Sequence, residues 1–284
     1  MRKIDLTFYL LLVPVLLWLI ILIVLPHFDL LLSSFKFEND DGDLVYSFNN
    51  YLAFFEDKIY WLTFVKTAVY SIVVTFIVFI ITFPVAFYLV KVVARKYSGF
   101  MVVLLLIPIW VGELVTIYGW MILLSDNGVI NQFLMGIGLI ETPIVMLYTD
   151  FSMTIGLVYM SMIFMIIPIM AALESLDDSL IEAACDLGAS KWTIFTKIVI
   201  PYSMPGIVSG GIIVFMLVIG DYIAPNILGG KSSLWFTEQI YNKFLSTFNW
   251  NEGAAFGFLL LALSSTIIWV TLKLTGQKLE KVGS

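Results

Sequence analysis

Six long apolar stretches constrain the fold of this chain more than any other feature of the sequence. They cover roughly residues 9–31, 61–90, 100–124, 151–173, 207–227 and 254–273. A helix needs about 20 mostly apolar residues to cross the hydrocarbon layer of a bilayer. Lipid offers no partner to an unpaired backbone group, so each crossing segment must be helical. The sequence therefore predicts an all-α, polytopic membrane protein with six transmembrane helices.

The composition agrees with this assignment. Hydrophobic residues make up 61% of the chain and charged residues 13%, and the mean hydropathy is +1.00, which is too apolar for a water-soluble domain. The first stretch is long and lacks a small-residue cleavage site, so we expect it to be retained rather than removed as an export signal. We predict one transmembrane domain over residues 1–284, with a charged loop at 174–206.

The distribution of basic residues predicts the orientation, because short cytoplasmic loops carry an excess of Lys and Arg. With the N-terminus inside, the inner segments hold Arg2, Lys3, Lys91, Arg95, Lys96, Lys191, Lys197, Lys273, Lys278 and Lys281. The outer segments hold Lys36, Lys58, Lys66, Lys231 and Lys243. Both termini and the loop at 174–206 are therefore expected on the cytoplasmic side.

Several kinds of chemistry are not expected from this chain. The single cysteine, Cys185, allows no internal disulfide. The single histidine, His27, has no second candidate ligand at metal-binding spacing. The sequence contains no Gly-rich phosphate loop of the Walker type. We therefore expect a non-catalytic subunit without a metal or cofactor of its own, and any energy from ATP has to enter through another subunit.

Two of the segments placed outside have recognisable patterns. The run from Lys36 to Asp43 is acidic. It is either a solvated loop or a surface that attracts a cationic solute or a basic docking protein. The segment 125–150 opens with a turn signal at Ser125–Gly128. Apolar residues then recur at helical spacing, which predicts an amphipathic helix at the outer face; they are Val129, Ile130, Phe133, Leu134 and Ile137.

The charged loop at 174–206 has the pattern of two short helices. Ser179 and Glu182 match a capping box, which predicts a helix start at Ser179. Gly188 is suited to end this helix in a left-handed conformation. Ser190 is placed to cap a second helix, which we expect Pro201 and Pro205 to interrupt before the fifth span. From periodicity alone, the loop is either a simple connection between spans or a surface where another protein docks.

The same loop carries a motif of a known family. Glu182-Ala183-Ala184, three residues, Gly188, nine residues and Ile198-Val199-Ile200-Pro201 resemble the EAA signature of permease subunits of bacterial ABC importers. Ile200 departs from it, because the family usually has Leu there, which is a volume-conserving change.

Further residues resemble the spermidine/putrescine permease group. They are Leu25-Pro26, Ser34-Phe35, Asn50-Tyr51, Pro84-Val85-Ala86, Pro108-Ile109-Trp110, Ile117-Tyr118-Gly119-Trp120, Gly220-Asp221-Tyr222-Ile223-Ala224-Pro225 and Leu228-Gly229-Gly230.

This resemblance implies a fold and a set of partners. The fold is that of a type I ABC importer permease in the bacterial cytoplasmic membrane. The partners are a cytoplasmic ABC ATPase dimer that binds the ATP, a second homologous permease subunit that is a different chain, and an extracytoplasmic solute-binding protein. The surrounding lipid bilayer is the remaining partner, and no nucleic acid is expected.

The resemblance also implies which residues couple the chain to the ATPase. The first helix of the loop is expected to dock in a groove of the ATPase, with Glu182 as its polar anchor and Gly188 as its turn. The full set is Glu182, Ala183, Ala184, Asp186, Gly188, Ile198 and Pro201.

Two acidic residues, Glu113 and Asp221, lie in apolar stretches, where a carboxylate is costly unless it faces water, a partner or a substrate. One interpretation is an acidic path for a cation such as a polyamine, with aromatic faces from Trp110, Tyr118, Trp120 and Tyr222. The other is structural hydrogen bonding near a vestibule. Many polyamine permeases have Arg where Thr116 stands, so an amino acid or another organic ion stays open as the solute.

Other classes of membrane protein fit less well. A secondary transporter of the inverted-repeat type would show related halves, and residues 1–140 and 141–284 show no convincing repeat. A membrane enzyme would need a clustered nucleophile, base or metal site. Hydropathy alone does not exclude that the protein is a channel. The glycines of the fifth span, among them Gly206, Gly210 and Gly211, serve either a gate or close helix packing.

Overall fold

The computed structural model describes residues 6–39, 42–230 and 233–277. Its α-helices are α1 (Leu6–Leu19), α2 (Leu25–Ser34), α3 (Asn49–Glu56), α4 (Lys58–Phe87), α5 (Arg95–Val111), α6 (Glu113–Leu124), α7 (Val129–Gly136), α8 (Asp150–Glu174), α9 (Asp178–Asp186), α10 (Lys191–Ile194), α11 (Ile200–Gly220), α12 (Phe236–Leu245) and α13 (Trp250–Thr275).

Shorter elements join these helices. Strands β1 (Lys36–Glu38) and β2 (Leu44–Tyr46) form an antiparallel hairpin in which Phe37 pairs with Val45. Wider π-helical turns cover Ile20–Val24, Tyr88–Val92, Phe195–Val199 and Pro225–Gly229.

The helices confirm the prediction of an all-α chain, with five candidate membrane-spanning segments in the part that the structure describes, or six if one bent pair is counted as a single span. Within the described residues, five continuous helical runs are long and apolar enough to span a membrane: Leu10–Ser34, Lys58–Val92, Asp150–Glu174, Lys191–Gly220 and Trp250–Thr275. The sixth segment is a bent pair, Lys96–Val111 with Glu113–Gly136.

The third segment is not the unbroken helix that its hydropathy suggested. It bends by 93° between α5 and α6. The bend lies at Gly112, whose φ of +81° and ψ of 148° suit glycine alone. An apolar window cannot show such a break, because the residues on both sides are equally apolar. The consequence is that Glu113, expected inside a span, stands at the first position of a new helix.

The fifth segment also differs from its predicted form. Its helix runs from Lys191 to Gly220, so the second helix of the loop is the beginning of the span. Neither Pro201 nor Pro205 interrupts it. A proline lacks the backbone N–H for a regular helical bond. Here the turn before Pro201 is widened, and the Ile200 N–H donates to the Phe195 carbonyl. The predicted end at residue 227 is seven residues too late.

The described residues cluster into two compact units. The first combines the chain before Val65 with Glu238–Leu263. In it, the buried side chain of Asn50 donates to the carbonyls of Ser34 at 2.9 Å and Lys36 at 2.8 Å. The Ser34 and Tyr51 hydroxyls lie 2.7 Å apart. These contacts hold the end of α2 against the start of α3. They join Ser34-Phe35 to Asn50-Tyr51, two of the residue pairs that resemble the spermidine/putrescine permease group.

An ion pair between α12 and α13 stabilises another part of the first unit. Lys243 Nζ lies 2.6 Å from Glu252 Oε1, and both side chains are mostly buried. The ammonium also lies over the rings of Tyr60, 5.0 Å from the ring centroid, and Phe256, at 5.7 Å. Aromatic faces attract a desolvated cation, so this cluster ties α12 to α13 and α4.

The second unit combines Val65–Thr237 with the chain from Ser264 onward. Its core is the extensive packing of α8 against α11. The two helices approach closely at Gly206, where an added Cβ would meet the Pro168 carbonyl and lie 2.7 Å from Ala172 Cβ. The small residues of the fifth span therefore pack against the fourth span, as is common between membrane helices.

Some predictions concern residues outside this description. Asp40 and Asp41 of the acidic run lie outside the described residues, as do the basic residues Arg2, Lys3, Lys231, Lys278 and Lys281. The cytoplasmic placement of both termini stays a prediction. The helix expected in segment 125–150 is confirmed as α7, with Val129, Phe133 and Ile137 exposed on or beside it.

The contact at Gly206 gives a test of the helix packing. We expect Gly206→Ala to destabilise the protein by about 1–3 kcal/mol, because the methyl group forces α8 and α11 apart. Gly211→Ala is the matched control, since the nearest atom to its added Cβ would be Thr75 Cγ2 at 3.9 Å. Thermal unfolding of the purified variants in detergent measures the difference. Equal melting temperatures would contradict the packing described here.

Candidate functional site

The loop at 174–206, here called the EAA loop, starts with an aspartate cap. Asp177 Oδ1 accepts the Ser179 backbone N–H at 3.0 Å, and α9 begins at Asp178. The bond lowers the pKa of the Asp177 carboxyl below its usual value, because it stabilises the charged form. The predicted capping box of Ser179 and Glu182 is therefore wrong, since an aspartate two residues earlier already caps the helix.

The end of α9 was predicted correctly. Gly188 has a φ of +76°. Its N–H donates to the Cys185 carbonyl at 2.9 Å, and the Ala189 N–H donates to the Ala184 carbonyl at 3.0 Å. These two bonds are the Schellman arrangement, which requires a left-handed residue at the position of Gly188. The prediction that Ser190 caps the next helix is also confirmed, because its Oγ accepts the Thr193 N–H at 3.1 Å.

The surface of the EAA loop is open to a partner. No residue of α9 is buried. Leu187 is 88% exposed and Trp192 73% exposed. Large apolar side chains that are this exposed in a membrane protein face either lipid or another protein.

The seven residues predicted to couple to an ATPase fall into two groups. Those on the open surface of the EAA loop are Glu182, Ala183, Asp186, Gly188 and Pro201. The other two, Ala184 and Ile198, are half-buried and pack against the core of the second unit. The structure therefore divides the motif into an outward face and an inward face.

A cavity of about 720 Å³ lies in the second unit. Its walls come from α4, the end of α5, the start of α6, α8 and the end of α11. The lining is mostly apolar, with Glu113, Asp221, Tyr222 and Tyr159 as its large polar members. The lining residues that the structure describes thus carry two carboxylates and no basic side chain.

Asp221 is held in place by the chain that follows it. Its Oδ1 accepts the N–H groups of Ile223 at 2.7 Å and Ala224 at 3.2 Å. Its backbone carbonyl accepts the Thr237 hydroxyl at 2.6 Å. Because α11 ends at Gly220, the carboxylate sits in the turn between two helical segments and satisfies N–H groups that lack helical partners there. A side chain fixed in this way presents a rigid charge to the cavity.

Glu113 lines the same cavity from the start of α6. It follows the Gly112 break at the start of α6, where the helix dipole favours a negative side chain. The Thr116 hydroxyl donates to the Gly112 carbonyl at 3.0 Å. The break therefore turns an acidic residue, which would otherwise lie along an apolar helix, toward the cavity that Asp221 lines.

The predicted aromatic residues are distributed unevenly around this cavity. Tyr222 lines it. Trp120 lies behind the wall and packs edge to face on Tyr159, with ring centroids 5.4 Å apart. Trp110 is 89% exposed and Tyr118 50% exposed, and neither is part of the lining. In membrane helices, such exposed aromatic side chains contact lipid or another subunit.

Sequence reasoning missed two features of the cavity. Tyr159 lines it, and the only signal was one phenol within the apolar fourth stretch. The break at Gly112 was missed as well, although a glycine directly before an acidic residue in an apolar run was a usable signal. Within residues 6–39, 42–230 and 233–277, no group of three or more His, Cys, Asp and Glu side chains is arranged to hold a metal ion.

Curated relatives cover almost the whole chain. The spermidine/putrescine transport system permease protein PotB of Escherichia coli (strain K12) is 32% identical over 268 residues, which is 93% of this chain and 97% of that protein. PotB of Haemophilus influenzae (strain ATCC 51907 / DSM 11121 / KW20 / Rd) is 33% identical over 273 residues, which is 93% of each chain.

A solved structure has the same fold. It is a bacterial alginate ABC transporter in complex with its alginate pentasaccharide-bound periplasmic protein. One of its chains aligns with a TM-score of 0.79 at 20% identity, over 98% of both chains. The fold predicted from the sequence, that of a type I ABC importer permease, is thereby confirmed.

A family model also matches the chain directly. The model for the inner membrane component of binding-protein-dependent transport systems matches residues 80–280, which include the EAA loop and both carboxylates of the cavity. Together with the two relatives, this match shows that the chain belongs to the family of binding-protein-dependent inner-membrane permeases, the membrane subunits of ABC importers.

Proposed function

We propose that this protein is a permease subunit of an ATP-driven importer of polyamines such as spermidine and putrescine. One observation carries the proposal: Glu113 and Asp221 line a single cavity in a chain whose relatives are spermidine/putrescine permeases. The chain itself catalyses no reaction and binds no cofactor. ATP is bound and hydrolysed by partner subunits.

The charge of the cavity suits a polyamine. An ammonium group that enters an apolar site loses its water, and it is stabilised there by carboxylates and charge-assisted hydrogen bonds. Two separate carboxylates match a solute with more than one ammonium group. The rings of Tyr159 and Tyr222 add surfaces that attract cations and cover methylene groups.

An amino acid fits this cavity less well. A zwitterion brings a carboxylate that needs a positive partner, and the lining within the described residues has no Lys, Arg or His. Thr116, at the position where many polyamine permeases have Arg, bonds the Gly112 carbonyl through its own hydroxyl. It adds no positive charge near the cavity, so a cationic solute stays the better match.

The EAA loop supplies the connection to the energy source. In the proposed assembly, α9 docks on a cytoplasmic ABC ATPase dimer, and both termini lie on the cytoplasmic side. A second homologous permease, proposed to be a different chain, completes the translocation path. A solute-binding protein delivers the polyamine from outside. Glu182 on α9 and Leu187 directly after it support this docking, because both side chains are exposed in the part of the chain that the structure describes.

Transport assays test which solute the complex imports. The full complex in proteoliposomes should take up labelled spermidine or putrescine when ATP and the binding protein are supplied. Labelled amino acids and small peptides should not accumulate, because the cavity offers no partner to their carboxylate. ATP-dependent accumulation of an amino acid without any polyamine uptake would overturn the proposed solute.

Charge removal tests the cavity. Asp221→Asn and Glu113→Gln should each lower the efficiency of polyamine uptake about tenfold, the effect of losing one charge-assisted hydrogen bond. Glu141→Gln is the matched control, since Glu141 is exposed and lies outside the lining. Initial uptake rates over a range of solute concentrations give the comparison. Unchanged rates in both cavity variants would exclude this cavity as the path.

The turn at Gly188 tests the docking of the EAA loop. Gly188→Val should abolish ATP-driven uptake, because a β-branched residue at a φ of +76° costs at least about 1–2 kcal/mol and distorts the end of α9. Gly188→Asn is the matched control, because asparagine tolerates the left-handed region. Glu182→Lys should also abolish uptake while the protein stays in the membrane. Normal transport by Gly188→Val and Glu182→Lys would refute the role of the loop.

A further inference from the structure

The junction between α8 and α9 is held by side chains from two other helices. Helix α8 ends at Glu174, and its last carbonyls lack helical partners. Tyr202 on α11 donates its hydroxyl to the Ser175 carbonyl at 2.8 Å. Lys91, at the end of the α4 span, donates to the Leu176 carbonyl at 2.6 Å. We call Lys91 and Tyr202 the junction clamp.

Lys91 is the more buried part of this clamp. Its side chain is only 10% exposed, although it carries a charge. It also lies 2.6 Å from Asp178 Oδ1, but that carboxylate is 73% exposed, so solvent weakens the ion pair. The bond to the Leu176 carbonyl is therefore the stronger hold, because a cation bonded to a helix end away from water forms a charge-assisted hydrogen bond.

The rest of α9 is held loosely in comparison. None of its residues is buried. Only Ile181 and Ala184 pack at the edge of the core. The backbone bonds of the turn at Gly188 go to carbonyls of α9 itself, and Ala189 in this turn packs at the edge of the core. A force on α9 therefore reaches the membrane helices mainly through the two ends of the helix, and the junction clamp sits at the first of them.

Helix α4 extends from this clamp to the cavity. Thr82 and Val85 on α4 line the cavity. Val85 lies six residues before Lys91, which corresponds to about 9 Å along a helix. The start of the fifth span also rests on α4, because the Phe195 ring meets Phe83 at 5.6 Å and Phe87 at 6.2 Å. The cytoplasmic end of α4 thus touches both sides of the EAA loop.

We propose that Lys91 and Tyr202 are positioning residues that make α4 and α11 follow the movement of α9. When the ATPase moves α9, the end of α8 moves with it through the connecting backbone. The clamp then makes α4 and α11 follow, and α4 transmits the shift to the cavity wall at Val85. This inference rests on the proposed function, in which an ATPase docks on α9. It adds the residues through which that docking changes the shape of the cavity.

The test measures coupling rather than activity alone. The full complex, with its ATPase, second permease and binding protein, is reconstituted with Lys91→Met, which keeps most of the aliphatic length and removes the donor. ATP hydrolysis should continue, while solute moved per ATP hydrolysed should fall about tenfold through loss of a buried charge-assisted bond. Lys91→Arg should restore the ratio, because it keeps the charge and donors. If Lys91 had only a structural role, its replacement would lower the rate of ATP hydrolysis and the rate of solute uptake together.

Matched controls separate this effect from a general loss of charge. Lys96→Met removes an exposed lysine from the next helix and should leave the ratio unchanged. Tyr202→Phe removes only a hydroxyl from a side chain that is 41% exposed, and it should lower the ratio at least about twofold through loss of one neutral hydrogen bond.

The outcomes are distinguishable. An unchanged ratio in Lys91→Met overturns the inference while leaving the proposed function intact, because uptake still depends on ATP. If Lys91→Met fails to assemble, Tyr202→Phe decides: a lowered ratio supports the clamp and an unchanged ratio overturns it. Failure of the unmodified complex to couple uptake to ATP would instead overturn the proposed function.

Discussion

A backbone group inside a bilayer has no water to bond, and this constraint organises the structure of the chain. Where a helix stops or bends at membrane depth, something in the protein has to bond the released groups. At the end of α11 the carboxylate of Asp221 accepts two N–H groups. The same need arises where α8 ends on the side proposed to be cytoplasmic, although water reaches that junction: there Lys91 and Tyr202 bond two consecutive carbonyls. The polar residues of both proposed sites are thus also the residues that complete helix ends.

This shared role explains which features could be predicted from the sequence. Apolar length showed the six membrane segments, and the spacing from Glu182 to Pro201 showed the family. Gly188 and Ser190 were assigned correctly, because a left-handed turn and an N-cap depend on residues close in sequence. Helix starts and stops of this kind can be predicted from the sequence because they depend on a few neighbouring residues.

The remaining features depend on contacts distant in sequence. The bend at Gly112 depends on a backbone conformation that a hydropathy profile does not show, because the stretches on both sides are apolar. The cap by Asp177 was missed because Ser179, two residues later, matches a capping box with Glu182, whereas the side chain that accepts the Ser179 N–H is that of Asp177. Tyr159 became part of the cavity only through the packing of α8. Pairings between positions 80 or more residues apart have no signature in one sequence.

The exposed surface of the EAA loop has a consequence for the protein before it meets the proposed partners. A newly inserted copy without them presents Leu187 at 88% exposure and Trp192 at 73%. Exposed apolar side chains of this size attract chaperones and proteases and favour aggregation. We therefore expect copies made in excess to be removed, so that the abundance of this chain follows the supply of the proposed partner subunits.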